Sequence, residues 1–181
     1  MSYVAVASVL ACVVGALNLV LVMGVIKRLR EMSPSPTAEP PRVTLLPGDR
    51  PGPFTAEATD GEVIDAAGLT DSLVGFLSPD CSACKDQLPQ FLAYAQAMGG
   101  RERTVAVLIG SPEELRDLAA QVGPVARVVM EPPFGPVATA FSTRGYPAVV
   151  LLDGAGTVSH SGATFATFPK PDRLMREAAR V

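Results

Sequence analysis

Two cysteines separated by two residues, Cys81-Ser82-Ala83-Cys84, carry the most specific chemical signal in the chain. The apolar run Ser72–Ser78 (SLVGFLS) just before them has the length and character of a buried strand. After them, Leu88, Phe91, Leu92 and Ala95 recur at helical spacing until Gly99-Gly100, so Cys81–Met98 is predicted to be a helix, kinked at Pro89. A strand running into Cys-x-x-Cys at a helix start places the first sulfur where unpaired N–H groups and the helix dipole favour an anion. That environment lowers a thiol pKa and makes Cys81 nucleophilic near neutral pH. Cys84 follows one turn later, within disulfide reach. Cys81 is then the exposed attacking thiol and Cys84 the more buried resolving one, exchanging a disulfide with a second molecule through a mixed disulfide. Pro79-Asp80 and Ser82 give the segment a polar, loop-like approach that does not resemble core. Metal binding by the two thiols and a pair of inert core cysteines are the competing readings.

Composition narrows the field. The chain has 181 residues, three cysteines, one histidine and a formal charge of −3. Three cysteines are too few for a disulfide scaffold, and one pair plus one histidine is too few for a four-ligand structural zinc site. From Phe54 onward ten Lys/Arg face fifteen Asp/Glu, and an acidic domain without a basic stripe argues against nucleic acid as a partner.

The hydrophobic excess is local, because residues 1–26 contain no charged side chain. Residues 4–26 are predicted to form a transmembrane helix, spanning roughly 35 Å at helical rise. No basic residue precedes the apolar run, so it reads as a retained anchor rather than a cleaved signal. Val9-Leu10-Ala11-Cys12 faintly resembles a lipoprotein cleavage box, but apolar sequence continues well beyond it, and Cys12 reads as a small lipid- or helix-facing residue. Asn18, polar at mid-span, could bond a partner helix. Residues 32–53 hold seven prolines and are predicted to be an extended, semi-rigid spacer. Residues 54–181 are then one folded domain.

Within that domain Thr104–Ile109, Val125–Met130 and Ala148–Leu152 read as strands. Ser111 is a natural N-cap, with Pro112 at the first helical position and Glu113-Glu114 in the first turn of a helix reaching Val122. Pro136–Phe141 reads as a short helix, Thr157–Ser161 as a hairpin partner after the Asp153–Gly156 turn, and Pro171–Arg180 as a closing amphipathic helix. The class is α/β, with a mixed central sheet flanked by helices. Phe134 and Phe141 are expected in the core, Asp86 in the first turn of its helix, and His160 facing solvent on the hairpin. Lys85 and Arg144 lie near the cysteines in the inferred layout and are expected to be solvated charges.

The strand–Cys-x-x-Cys–helix arrangement, with Lys85 next and Pro89 eight residues after Cys81, resembles thioredoxin, as does Tyr146-Pro147 before a strand. The resemblance implies a thioredoxin-like fold with Pro147 cis and facing the cysteine pair. It gives Tyr146 the backbone that pairs with the substrate chain, and Pro147 a part in excluding metal. The apolar span and spacer, Gly52-Pro53-Phe54 with Asp60-Gly61 following, and Leu152-Asp153-Gly154 resemble the TlpA-like, membrane-anchored thiol–disulfide oxidoreductases and the related accessory protein of methylamine dehydrogenase maturation. That implies reduction of protein client disulfides outside the cytoplasm, fed by a membrane electron donor, with no cofactor beyond the Cys81–Cys84 disulfide. Lys27, Arg28 and Arg30 after the span imply the opposite orientation by the positive-inside rule.

Three residues depart from the family pattern. Asp80 stands where an aromatic usually precedes the first cysteine. Gly75 stands where thioredoxin has a buried acid, and Ser82-Ala83 replaces Gly-Pro. Asp80 is therefore the candidate proton relay for the resolving thiol. The alternatives are a copper or other metal chaperone using Cys81, Cys84 and His160, and a redox-inert anchored interaction module.

Overall fold

The computed structural model describes residues 2–32 and 43–170. It divides into two units, the first ending at Pro41 and the second beginning at Arg42. The first is one helix, α1 (Ser2–Met32). Its stretch Val6–Gly24 is long and apolar enough to cross a bilayer. Cys12 is free and exposed on it. Asn18 Nδ2 donates to the Val14 carbonyl one turn back at 3.2 Å, so its amide is satisfied within its own helix.

The second unit is built on a five-stranded sheet. The strands β3 (Leu73–Leu77), β4 (Thr104–Ile109), β5 (Arg127–Glu131), β6 (Ala148–Leu152) and β7 (Val158–Gly162) lie in the order β5-β4-β3-β6-β7. β3 pairs parallel with β4 and antiparallel with β6, while β4–β5 is parallel and β6–β7 antiparallel. Every residue of β3, β4 and β6 is buried, as strands covered on both faces must be. Alternate residues serve opposite layers. Leu73, Leu77, Ala106, Leu108, Val149 and Leu151 pack with Phe91 and Ala95 of α2 (Ser82–Ala97) and with Leu115 and Val122 of α3 (Pro112–Val122). Val74, Phe76, Val105, Val107 and Val150 pack with Phe54, Ile64, Val137 and Phe141 on the other face. That face is covered by α4 (Pro136–Ala140) and a two-stranded hairpin, β1 (Thr55–Glu57) with β2 (Val63–Asp65), which the sequence pattern did not predict.

Several expectations shift in detail. α2 spans Ser82–Ala97, starting and ending one residue inside the expected bounds, with Pro89 within it and exposed. Asp86 falls beyond the first turn, which holds no acidic residue. α3 is closed by a capping box, the Glu114 carboxylate accepting both the Ser111 amide at 3.0 Å and the Ser111 hydroxyl at 2.7 Å. Those bonds hold the Glu114 carboxyl below its ordinary pKa. β5 starts at Arg127, because Val125 and Ala126 still donate back to Val122 at the end of α3. Phe141 is fully buried, but Phe134 is 82% exposed, at the apex of the Pro132–Gly135 turn with φ +63°. The predicted helix Pro171–Arg180 lies outside the described residues.

The expected spacer also divides. Residues 33–42 lie outside the described residues. Val43–Pro53 instead straps the domain: Leu45 and Gly52 donate to the Phe141 and Ala140 carbonyls at 3.1 and 2.9 Å, and Arg144 donates to Val43 at 2.9 Å. Gly48 and Val158 close a further pair through the Val158 and Asp49 carbonyls. Val43 and Leu45 pack against the core. Prolines remove donors only at their own positions, so the amides between them still pair.

Candidate active site

β3 delivers the chain to the turn Ser78-Pro79-Asp80, where the Cys81 amide donates to the Ser78 carbonyl at 3.3 Å. Cys81 is the N-cap of α2, with extended φ −94° and ψ 108°. Its sulfur takes the place of a capping oxygen: the Cys84 amide donates to Cys81 Sγ at 3.1 Å. An N–H bond to sulfur at a helix N-terminus stabilises a thiolate once the pair is reduced. Cys81 is half-buried and Cys84 only 3% exposed. The two form a disulfide with their Cα atoms 5.2 Å apart.

The Tyr146–Pro147 bond is cis. Cys81 Sγ lies 3.3 Å from the Tyr146 carbonyl oxygen, so the fold brings this sulfur onto the backbone that precedes β6. Pro147 is buried and Tyr146 half-buried. Burial, and secondly the charge of Glu131, raise the Tyr146 phenol above its ordinary pKa.

Glu131 was not singled out from the sequence. It ends β5 with 5% exposure, and its carboxylate accepts the Val137 amide at 3.0 Å and the Ala138 amide at 2.7 Å in the first turn of α4. Burial pushes its carboxyl pKa up, more than those two bonds pull it down. Glu131 lines a groove of about 560 Å³ with Tyr146, Met130, Ile109, Glu114 and Asp80, at the C-terminal ends of the parallel strands. Asp80 is exposed there. A second groove of about 550 Å³ runs between α2 and α3, lined by Cys84, Leu88, Leu92 and Leu118 with exposed Lys85 at its edge. Arg144 is exposed two residues before Tyr146.

Gly75 faces α2, and the ring of Phe91 fills the space a side chain there would need. The buried acid of thioredoxin therefore has no room at this position. Gln87, also not singled out, has its Oε1 buried without a hydrogen-bond partner. Neither it nor Glu131 stands out in the sequence except through burial; the only local cue is that Glu131 ends an apolar run before Pro132-Pro133.

His160 is on β7 opposite Leu151, half-buried rather than solvent-facing, with its ring 6.0 Å from that of Phe168. Among the described residues, no three His, Cys, Asp or Glu side chains stand close enough together to hold a metal ion.

No protein-family model matches the chain, and no curated protein matches it in sequence. Solved structures do match in fold. A thio-disulfide isomerase from Thermus thermophilus superposes with TM-score 0.57 at 18% identity, covering 75% of this chain and 96% of its own. A thiol:disulfide interchange protein of the thioredoxin family from Chlorobium tepidum gives 0.53 at 20% identity, covering 74% and 97%. A secreted disulfide oxidoreductase from Mycobacterium tuberculosis, homologous to Escherichia coli DsbE, gives 0.51 at 18%, covering 71% and 96%. The second unit of this chain has the thioredoxin-like fold.

Proposed function

We propose that the protein is a membrane-tethered thiol–disulfide oxidoreductase that reduces disulfides of protein clients. The observation that carries this reading is the placement of Cys81 Sγ. It caps α2 by accepting the Cys84 amide and lies 3.3 Å from the carbonyl that precedes cis-Pro147. The thiolate of Cys81 attacks a client disulfide, forming a Cys81–client bond and releasing the client's other sulfur as a thiolate. Cys84 then loses its proton and attacks Cys81 Sγ, so the client leaves as a dithiol and the Cys81–Cys84 disulfide forms. The Tyr146 backbone aligns the client strand, with Pro147 beside it, and Asp80, exposed and adjacent to Cys81 in the chain, takes the Cys84 proton. No cofactor beyond the disulfide takes part. A membrane electron donor regenerates the dithiol.

α1 supplies the tether, and the resemblance to TlpA-like proteins favours a domain held outside the cytoplasm. Reduction of insulin disulfides by the full chain tests the activity. Cys81→Ser abolishes it, Cys84→Ser accumulates a mixed disulfide with the client, and retained activity in Cys81→Ser overturns the reading. Asp80→Asn shifts the pH–rate profile; an unchanged profile removes Asp80 from the mechanism. Orientation is read with a Cys12→Ser chain, reduced in intact cells and treated with a membrane-impermeant maleimide. Labelling of Cys81 before lysis supports the extracytoplasmic placement, and labelling only after lysis reverses it.

A further inference from the structure

Phe134 stands where the backbone favours glycine. It is the third residue of a turn that the Gly135 amide closes on the Pro132 carbonyl at 3.0 Å, and its φ is +63°. That position with positive φ ordinarily takes glycine, and a bulky side chain there is strained. Burial does not offset the strain, because the ring is 82% exposed and Pro132, Pro133 and Pro136 around it are exposed too. A strained residue that holds an apolar ring in water marks an interaction surface. The turn adjoins the exchange site. Pro132 and Pro133 line the same groove of about 560 Å³ as Tyr146, whose carbonyl oxygen lies 3.3 Å from Cys81 Sγ. Ile109 and Met130 give that groove an apolar lining, and Asp80, Glu114 and Glu131 line it as well. Among the described residues that line it there is no Lys, Arg or His. Asp80 and Glu114 are exposed, and the Ser111 bonds hold the Glu114 carboxyl below its ordinary pKa, so it is anionic at neutral pH.

We propose that the Pro132–Gly135 turn and the groove beside Tyr146 form a docking surface that selects protein clients with an apolar and a basic residue next to the reactive cysteine. This rests on the reading above that Cys81 exchanges with client disulfides. It goes beyond backbone pairing at Tyr146 by naming the side chains the client brings. A client sulfur that reaches Cys81 carries its flanking residues to the groove, because Tyr146 belongs to both. The client's apolar side chain covers the Phe134 ring and removes it from water. Its ammonium or guanidinium group meets the carboxylates of Asp80 and Glu114. An acidic client segment is repelled by the same carboxylates. The surface decides which disulfide is attacked; the bonds made and broken are those of the exchange itself.

The test uses the full chain in its dithiol form, prepared with dithiothreitol and then freed of it. Three disulfides are offered. Two are symmetric peptide disulfides that differ only beside the cysteine, one with Phe and Arg there and one with Ser and Glu. The third is hydroxyethyl disulfide, which has no side chains to dock. In each reaction the Cys81–Cys84 dithiol becomes the disulfide and the substrate leaves as two thiols. Alkylation of the remaining protein thiols gives the second-order rate constant. Wild type is expected to reduce the Phe-Arg peptide about tenfold faster than the Ser-Glu peptide. Phe134→Gly, with Phe134→Ala as its check, lowers the Phe-Arg rate about fivefold. Glu114→Gln keeps a capping side chain on α3 and lowers that rate about threefold, a difference that about 0.5 M salt removes. All three variants are expected to reduce hydroxyethyl disulfide within about twofold of wild type, since that substrate does not use the surface. Equal wild-type rates on the two peptides, or a preference that none of the variants weakens, overturns the docking surface while leaving the exchange activity intact. A wild-type dithiol that reduces none of the three disulfides overturns both.

Discussion

The ring of Phe91 lies against the backbone of Gly75, so closely that a Cβ on Gly75 would stand 3.0 Å from Cζ and 3.1 Å from Cδ2. This contact seats α2 on β3 and so fixes the height of the cysteine pair above the sheet. Gly75→Ala is expected to lower stability by about 1–3 kcal/mol through overpacking. Gly75→Asp lowers it further, since the carboxyl is then buried without a partner. Urea denaturation measures both. In a Phe91→Leu background the cost of Gly75→Ala shrinks; full additivity of the two changes would show that the ring contact is not its source.

Glu131 makes stability depend on pH in a definite direction. Burial raises its folded pKa above the ordinary 4.5, against the smaller opposing effect of the Ala138 and Val137 amides. The folded chain thus keeps a proton that the unfolded chain has lost. The stabilisation this represents is complete below the unfolded pKa and disappears as pH rises through the folded one. Glu131→Gln has no such titration. The stability of wild type relative to the variant is therefore expected to fall as pH rises from about 4.5. Denaturation curves of the two proteins that keep a constant separation across that range would contradict this assignment.

What the sequence made legible, and what it did not, follows from range of interaction. β3, the Cys-x-x-Cys turn, α3 and β6 announce themselves through local signals: apolar runs, an N-cap and cysteine spacing. Tyr146 and Pro147 were placed by resemblance, and the fold sets them against Cys81. β1 and β2 are three residues each with mostly exposed side chains, too short for a period. The Val43–Pro53 strap looked like spacer because it continues the proline-rich stretch before it and holds three prolines itself, while its fixing bonds go to residues about a hundred positions away. Gln87 and Glu131 are ordinary polar residues in sequence; tertiary burial alone gives them meaning.

Tyr94 ties α2 to the end of the described chain. Its hydroxyl donates to the Pro169 carbonyl at 2.9 Å, and its ring packs 5.0 Å from Phe165 and 6.0 Å from Phe168. Burial pushes its pKa up to about 12. The folded state holds this proton above the unfolded value of 10.0, so stability falls as pH climbs from there towards 12. Ultraviolet titration is expected to show one tyrosine that Tyr94→Phe removes from the latest step. The same variant loses about 1 kcal/mol near neutral pH, the worth of a typical hydrogen bond. Loss of an early-titrating tyrosine instead would show that the hydroxyl is solvated.

Phe134 offers the cleanest separation of backbone from side-chain effects. It sits at φ +63° in a turn closed by the Gly135 amide on the Pro132 carbonyl at 3.0 Å, and its ring is 82% exposed. A side chain in the left-handed region costs about 1–2 kcal/mol, and so exposed a ring recovers little of that by packing. Phe134→Ala keeps the strain and loses the ring; Phe134→Gly loses both. Glycine gives back part of its gain through the extra freedom of the unfolded chain, about 0.4–1 kcal/mol. The expected order of Tm is therefore Gly above Ala, with Gly at or slightly above wild type. If both variants fall equally below wild type, the ring is supporting the turn from outside, and backbone strain is not what distinguishes this position.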